Sequence, residues 1–286
     1  MKKARTTRKR KATLHAILAA WGLAAATAAN AWVVTPTDVS FVNQDGLAIP
    51  GKLFKPAGAG PFPAVVMMHG CSGAYSFSDP AKGIASLYRE WGDRLVMQGY
   101  VALLVDSFTP RNTQNQCGNG ANGVSEINAR PFDAYAALGH LSGLPYVNAA
   151  RIGLLGWSHG ASATLASIDA TRNLNGTRPF KAAVAFYPGC GMYNAFGGIG
   201  SSTWQPYSPT SILHGTADSL YADGYCATRV QRAQQLGATA TLTAYDGAKH
   251  SFDMAKDATN GFTSADVSAK TTADPLALNL FNANLK

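Results

Sequence analysis

The serine at the centre of Gly156-Trp157-Ser158-His159-Gly160 stands where an ordinary alcohol could be made into a nucleophile. The apolar run Ile152 to Leu155 before it reads as a buried strand, and small residues after Gly160 open a helix. A strand turning straight into a helix forces its corner residue into strained backbone angles. Glycines two positions to either side leave room for that turn and lift the serine oxygen clear of the sheet edge. The unpaired N–H groups at the helix start then face any negative charge forming there. In a chain with 29 glycines, G-x-S-x-G also arises by chance, so the flanking strand and helix give the motif its weight.

A serine hydroxyl attacks only when a base removes its proton, and the base needs an acid to orient it. On an α/β sheet the expected chain order is serine, acid, histidine. Three histidines lie beyond Ser158. His159 adjoins the serine on the turn itself, so its ring points elsewhere and its backbone N–H is the useful part. His214 opens the turn His214-Gly215-Thr216-Ala217-Asp218 and helps to hold it. His250, in a loop directly after the last strand, is the candidate base. Asp218 follows its own strand and is the first choice of acid. Asp223 is the alternative, with helix capping as its plainer role, and Asp246 is too near His250 in sequence to come first. Ester cleavage also needs donors to the oxyanion, and the backbone N–H groups of His159 and Cys71 are the candidates, with Ser72 behind Cys71. Gly70 and Gly73 let that backbone come close. Cys71 as a nucleophile is the weaker reading, because no helix begins immediately after it.

These residues need a sheet to converge on. Asp45-Gly46 marks a turn between two extended pieces, hence an N-terminal β-hairpin. Ala64 to Met68 and Val101 to Val105 are continuous apolar runs of the kind covered on both faces. Ile84, Leu87, Tyr88, Trp91 and Leu95 recur at helical spacing up to Gly99. Further strands are expected at Ala182–Phe186, Ser211–Leu213 and Ala240–Ala244. Helices are expected at Pro131–Leu141, around Ala227–Leu236 and at the C-terminus through Leu278, Phe281 and Leu285. Alternation of this kind predicts an α/β protein with a mainly parallel sheet flanked by helices on both faces. The polar segment Asn112–Asn122 and the Gly-rich Gly189–Ser202 read as insertions above the strand ends, where function usually sits.

The formal charge of +8 invites a nucleic-acid reading, but seven of the 24 basic residues crowd into Lys2–Lys11. The remaining 17 face 16 acidic residues, and +1 is no footprint for a phosphate backbone. The basic head, the apolar run from Leu14 and Ala29-Asn30-Ala31 form the layout of a secretory signal over residues 1–31. The competing reading is an uncleaved anchor, since apolar character persists to about Ala29. Either way residues 32–286, expected to be a single catalytic domain, lie outside the cytoplasm, in the periplasm or secreted. After signal removal no membrane contact is expected. Oligomeric state is not encoded in any feature of the sequence. Cys71, Cys117, Cys190 and Cys226 suit an oxidising destination. No C-x-x-C spacing exists, so neither a metal nor a cofactor is expected. If each cysteine follows one of successive strands, Cys71–Cys117 and Cys190–Cys226 join neighbouring loops; free thiols remain the alternative.

His69-Gly70-Cys71-Ser72-Gly73, the Ser158 motif, His214–Asp218 and Ala248-Lys249-His250-Ser251-Phe252 together resemble the α/β-hydrolase fold. Within it the chain is similar to the dienelactone hydrolase family over roughly Leu53 to Phe252, helped by Asp106–Arg111 and Phe186-Tyr187-Pro188-Gly189. The resemblance implies a triad of Ser158, Asp218 and His250 with oxyanion donors at Cys71 and His159. Three departures stand out: the family's namesake enzymes use a cysteine where Ser158 stands, carry a glutamate where Gly70 stands, and hold the substrate carboxylate with two arginines. Arg111 matches one of those arginines, and the other position is Met254. The expectation is therefore a serine esterase acting on a small-molecule or polymeric ester, with Arg111, Tyr75, Trp157 and Tyr187 as candidate substrate contacts and Trp204 beside them. The alternatives are a lactone hydrolase proper, a peptidase of prolyl-oligopeptidase type, and a non-catalytic binding protein on a hydrolase scaffold.

Overall fold

The computed structural model describes residues 1, 34–76, 83–119, 123–172, 179–191, 195–198, 200–222 and 224–286. The expected signal segment (beyond Met1) and the alternative acid Asp223 lie outside the described residues. Trp32–Lys286 make up one compact unit.

Its centre is a sheet with strand order β1-β2-β4-β3-β5-β6-β7-β8. The hairpin strands β1 (Thr37–Val42) and β2 (Ala48–Phe54) are antiparallel, and β2 runs antiparallel to β4 (Val101–Val105). From there β3 (Phe62–Met68), β5 (Val147–Trp157), β6 (Ala183–Phe186), β7 (Thr210–Gly215) and β8 (Ala240–Tyr245) continue in parallel. The two apolar runs are central strands: Ala64 through Met68 are all 0% exposed, because each face of the sheet carries helices.

Period-two alternation divides the core. Val66, Met68, Leu103 and Leu154 face α2 (Arg130–Ser142), α3 (His159–Ser167) and α4 (Tyr225–Gln235). Val65, Met67, Leu104 and Leu155 face α1 (Ser86–Met97) and α5 (Ser264–Leu285). Truncating one of these fully buried leucines to alanine costs about 2–5 kcal/mol.

Two helices differ from expectation. Ile84 belongs to a bridge with Tyr75 rather than to α1, since Ala85 is extended (ψ 140°) and the helix begins at Ser86. The last helix is 22 residues long, starting well before Leu278. Its first half buries only Ala269 and Ala273 as apolar side chains, so the helical period is faint there. What starts it is a reciprocal cap between Thr263 and Asp266.

Candidate active site

Ser158 occupies the corner between β5 and α3 with φ 51° and ψ −116°, a strained conformation for a residue with a side chain. The flanking glycines are required by space. A Cβ on Gly156 would lie 2.3 Å from the carbonyl oxygen of Gly160, and one on Gly160 would lie 2.0 Å from that of Met68. The turn is tied down from the next strand by Ser158 N–H donating to the carbonyl of Phe186 (2.9 Å).

The loops after β7 and β8 bring Asp218 and His250 to this corner. His250 Nε2 is 2.9 Å from Ser158 Oγ, and its Nδ1 is 2.5 Å from Asp218 Oδ2. A proton on Nδ1 directed at the carboxylate leaves Nε2 free to accept from the serine hydroxyl. Asp218 is buried; burial alone would raise its pKa, but the hydrogen bond and charge of His250 outweigh it and hold the carboxyl below its ordinary value. Asp218 Oδ1 is occupied by the N–H of Leu220 at 3.0 Å. His214 Nε2 is 3.5 Å from the same carboxylate, but burial drives its pKa down to about 4 despite Asp218, so it stays neutral. Asp246 contacts Thr216 Oγ1 and makes no hydrogen bond to His250 among the described residues.

Ser158, His159 and His250 line a cleft of about 470 Å³ together with Cys71, Gln116, Cys117, Gly118, Glu126 and Leu220. Cys71 and His159, whose backbone N–H groups are the candidate oxyanion donors, thus line the same cleft as Ser158. Neither N–H has an acceptor among the described residues. The loop carrying Cys71 is braced by His69, whose Nε2 accepts from Ser107 N–H (3.2 Å) and whose Nδ1 reaches the Gly70 carbonyl (2.7 Å). Gly70 N–H in turn donates to Tyr88 Oη at 2.8 Å.

The His159 ring turns away from His250 and toward Arg130. Arg130 donates to its Nδ1 (2.8 Å), leaving Nε2 to carry the proton, 3.5 Å from Glu126. Burial, then the Arg130 charge, push the His159 pKa down to about 3.

The four residues expected at the substrate are placed elsewhere. Arg111 is engaged by Asp133 through two hydrogen bonds (2.8 and 3.0 Å) and by the Ser107 carbonyl (2.6 Å). Trp157 is 1% exposed and packs between Tyr88, Trp91 and Phe186. Tyr187 is equally buried, though its ring lies 4.6 Å from that of His250. Tyr75 lines a separate small pocket with Asp106 and Phe108, and Trp204 is a core residue donating to the Leu165 carbonyl. Position in sequence did not reveal that Trp157, Tyr187 and Trp204 turn into the core, that Arg111 turns to Asp133, or that Tyr75 faces a different pocket.

Sequence reasoning missed Asp253. It is fully buried, accepting from Trp157 Nε1 at 2.8 Å and from Tyr187 Oη at 2.5 Å, and burial raises its pKa against those two bonds. One carboxylate thus ties the His250 loop to the residue preceding Ser158 and to the loop after β6. Its signal was an acid three residues past His250, beside the apolar Phe252.

The sequence matches the dienelactone hydrolase family over residues 49–285. The chain belongs to that family. No curated protein matches it. Among solved structures it is similar to a dienelactone hydrolase-like promiscuous phosphotriesterase from metagenomic libraries, at TM-score 0.65 and 20% identity over 88% of this chain and 100% of that one. It is also similar to a candidate dienelactone hydrolase from Klebsiella pneumoniae (0.61, 18%, over 86% and 98%). Dipeptidyl peptidase 4 of Porphyromonas gingivalis matches at 0.63 and 22%, over 87% of this chain and 35% of that one. These likenesses establish the α/β-hydrolase fold. For this dienelactone hydrolase family member, the family gives a hydrolase of that general type.

Proposed function

We propose that this protein is an exported serine hydrolase that cleaves carboxylic esters through an acyl-enzyme on Ser158. The observation that carries the reading is the unbroken chain from Ser158 Oγ to His250 Nε2 and from His250 Nδ1 to Asp218. His250 takes the serine proton as Oγ attacks the ester carbonyl. The carbonyl oxygen gains negative charge and is met by the N–H groups of Cys71 and His159. One such donor is worth about 3 kcal/mol of transition-state stabilisation. His250 then passes its proton to the departing alcohol, leaving the acyl group on Ser158. Water deprotonated by His250 attacks next, and the carboxylic acid leaves as the proton returns to Oγ. Asp218 holds the Nδ1–H tautomer and offsets the imidazolium charge formed in each half-reaction.

Cleavage of a dienelactone itself is less favoured. A substrate carboxylate needs a cation, yet Arg111 is committed to Asp133 and no lysine or arginine lines the cleft among the described residues. Export is supported by the N-terminal charge and apolar pattern and by disulfides at Cys71–Cys117 and Cys190–Cys226. No described helix is long and apolar enough to cross a membrane. N-terminal sequencing of exported protein should begin near Trp32.

The test is a stopped-flow burst of p-nitrophenol from a short acyl ester, with fluorophosphonate labelling mapped to the peptide containing Ser158. Ser158→Ala, folded by circular dichroism, should lose both. Equal rates in wild type and variant would end the enzyme reading and favour a binding protein on this scaffold.

A further inference from the structure

The two disulfides differ in where they lie. Cys190 and Cys226 are 0% and 2% exposed, whereas Cys117 is exposed and Cys71 half-buried. The exposed bridge lies in the cleft wall. Cys71 is the residue whose N–H is assigned above to the oxyanion, and Gln116, Cys117 and Gly118 line the same cleft.

Few other attachments hold this wall. Beyond the short turn Thr109–Arg111 the segment 112–119 has no regular structure, and Asn112, Gln114, Asn115, Cys117, Gly118 and Asn119 are exposed. Gln116 is its one buried side chain, accepting from Val124 N–H (2.9 Å) and donating to Thr113 Oγ1 (2.6 Å), which shapes the loop internally. A hydrogen bond and a close approach of backbone join this segment to the Cys71 loop. Gln116 N–H donates to the Cys71 carbonyl at 2.7 Å. The Gln114 carbonyl also comes so near Gly73 (φ 87°) that a Cβ there would lie 2.5 Å from its oxygen. The disulfide is the only covalent tie among the described residues, and it is attached to the oxyanion residue itself.

We propose that Cys117 is a positioning residue for the reaction. Its bond to Cys71 keeps the Cys71 peptide and the cleft wall in register with Ser158, and it is the bridge that a small dithiol opens first. The proposal rests on the serine-esterase reading above. In the opening step a dithiol thiolate attacks the sulfur of Cys117, the exposed residue of the pair, and Cys71 leaves as a thiolate and takes up a proton. The second thiolate of the reagent then attacks the mixed disulfide and releases Cys117. The protein gains two electrons and two protons while the reagent closes to its cyclic disulfide. An opened loop lets the Cys71 N–H drift from the forming oxyanion, which weakens transition-state binding more than substrate binding.

The experiment titrates the oxidised full chain with dithiothreitol, quenches portions with an alkylating agent and maps labelled cysteines by mass. The same portions are assayed for kcat and KM on a short p-nitrophenyl ester, for fluorophosphonate labelling and for far-UV dichroism. The expected result is labelling of Cys71 and Cys117 ahead of Cys190 and Cys226. With it kcat should fall at least about tenfold, short of the 10²–10³ lost with a whole oxyanion donor. KM and dichroism should hardly change, and reoxidation should restore kcat. Cys117→Ser should show the low kcat without reductant and no further response to it; if it fails to fold, the wild-type titration decides. Complete labelling of Cys71 and Cys117 at unchanged kcat would overturn the proposal. So would earlier opening of Cys190–Cys226, or a loss of kcat that only tracks loss of dichroism. Oxidised protein with neither ester turnover nor fluorophosphonate labelling would refute the esterase reading itself, and this proposal with it.

Discussion

Replacing Arg111 by alanine separates two roles that a strand-end arginine can have. Its guanidinium spans both oxygens of Asp133, at 2.8 and 3.0 Å, and Asp133 is 0% exposed on α2. Removing the cation leaves that carboxylate with Asn43 Nδ2 at 2.9 Å as its remaining side-chain donor. Stripping one partner from a buried pair costs about 3–5 kcal/mol. The arginine side chain keeps 17% of its exposure, so the lower end, about 3 kcal/mol, applies. For a domain of this size each kcal/mol moves Tm by about 2–4 °C, giving a fall of about 6–12 °C. Arg111→Lys should recover part of this, since it keeps the charge but not the paired geometry. The assays are a thermal melt followed by dichroism, and kcat and KM for a neutral ester beside one bearing an acyl carboxylate. The structural account predicts a large melt shift with no selective change in KM. A melt within about 2 °C of wild type, with a KM about tenfold higher for the anionic ester alone (~1.4 kcal/mol), would refute it.

Four further substitutions, at Asp253, Asp218 and Asp274, test the site and the packing around it. Asp253→Leu removes the acceptor of the buried Trp157 Nε1–H and Tyr187 O–H, each worth about 1–3 kcal/mol, so melting temperature and kcat should both fall. Asp253→Asn can still accept from Trp157 and donate to Tyr187, and should stay near wild type in both. Asp218→Asn should lower kcat by about 10⁴, the loss known for the equivalent change in a serine protease triad, with KM nearly unchanged. Because the folded pKa of Asp218 lies below its unfolded value, its stabilisation is complete above the unfolded range and disappears as pH falls through the folded pKa. The variant should therefore show a shallower acid-side slope in urea midpoint against pH. Asp274 is the opposite case: burial raises its pKa to about 6, with the Arg94 contact at 2.8 Å opposing. Stability from this group is highest below the unfolded value of about 3.9 and declines as pH rises through 6. Asp274→Asn should flatten the urea midpoint between those limits, and an unchanged slope would contradict the assignment.

Residue order carried much of this protein. The apolar runs at Ala64–Met68 and Val101–Val105 could only be strands covered on both faces, and the alternation around them gave a parallel sheet. The motif at Ser158 encodes its own turn, because Gly156 and Gly160 stand where any Cβ would strike backbone. Reading Cys71 and Cys117 as following neighbouring strands, and Cys190 and Cys226 likewise, favoured the two bridges that form, although Cys226 lies in α4. Tertiary packing alone decided what the side chains at the strand ends do. Arg111, Trp157 and Tyr187 stand at positions from which a side chain can turn either to the cleft or to the core. Each is drawn inward by a carboxylate far away in sequence, Asp133 or Asp253. Local periodicity reports which face of a strand is apolar, but it carries no record of a partner 22, 66 or 96 residues distant. Such pairs form because a buried carboxylate must find donors or lose its charge, and only the closed fold determines which donors are within reach.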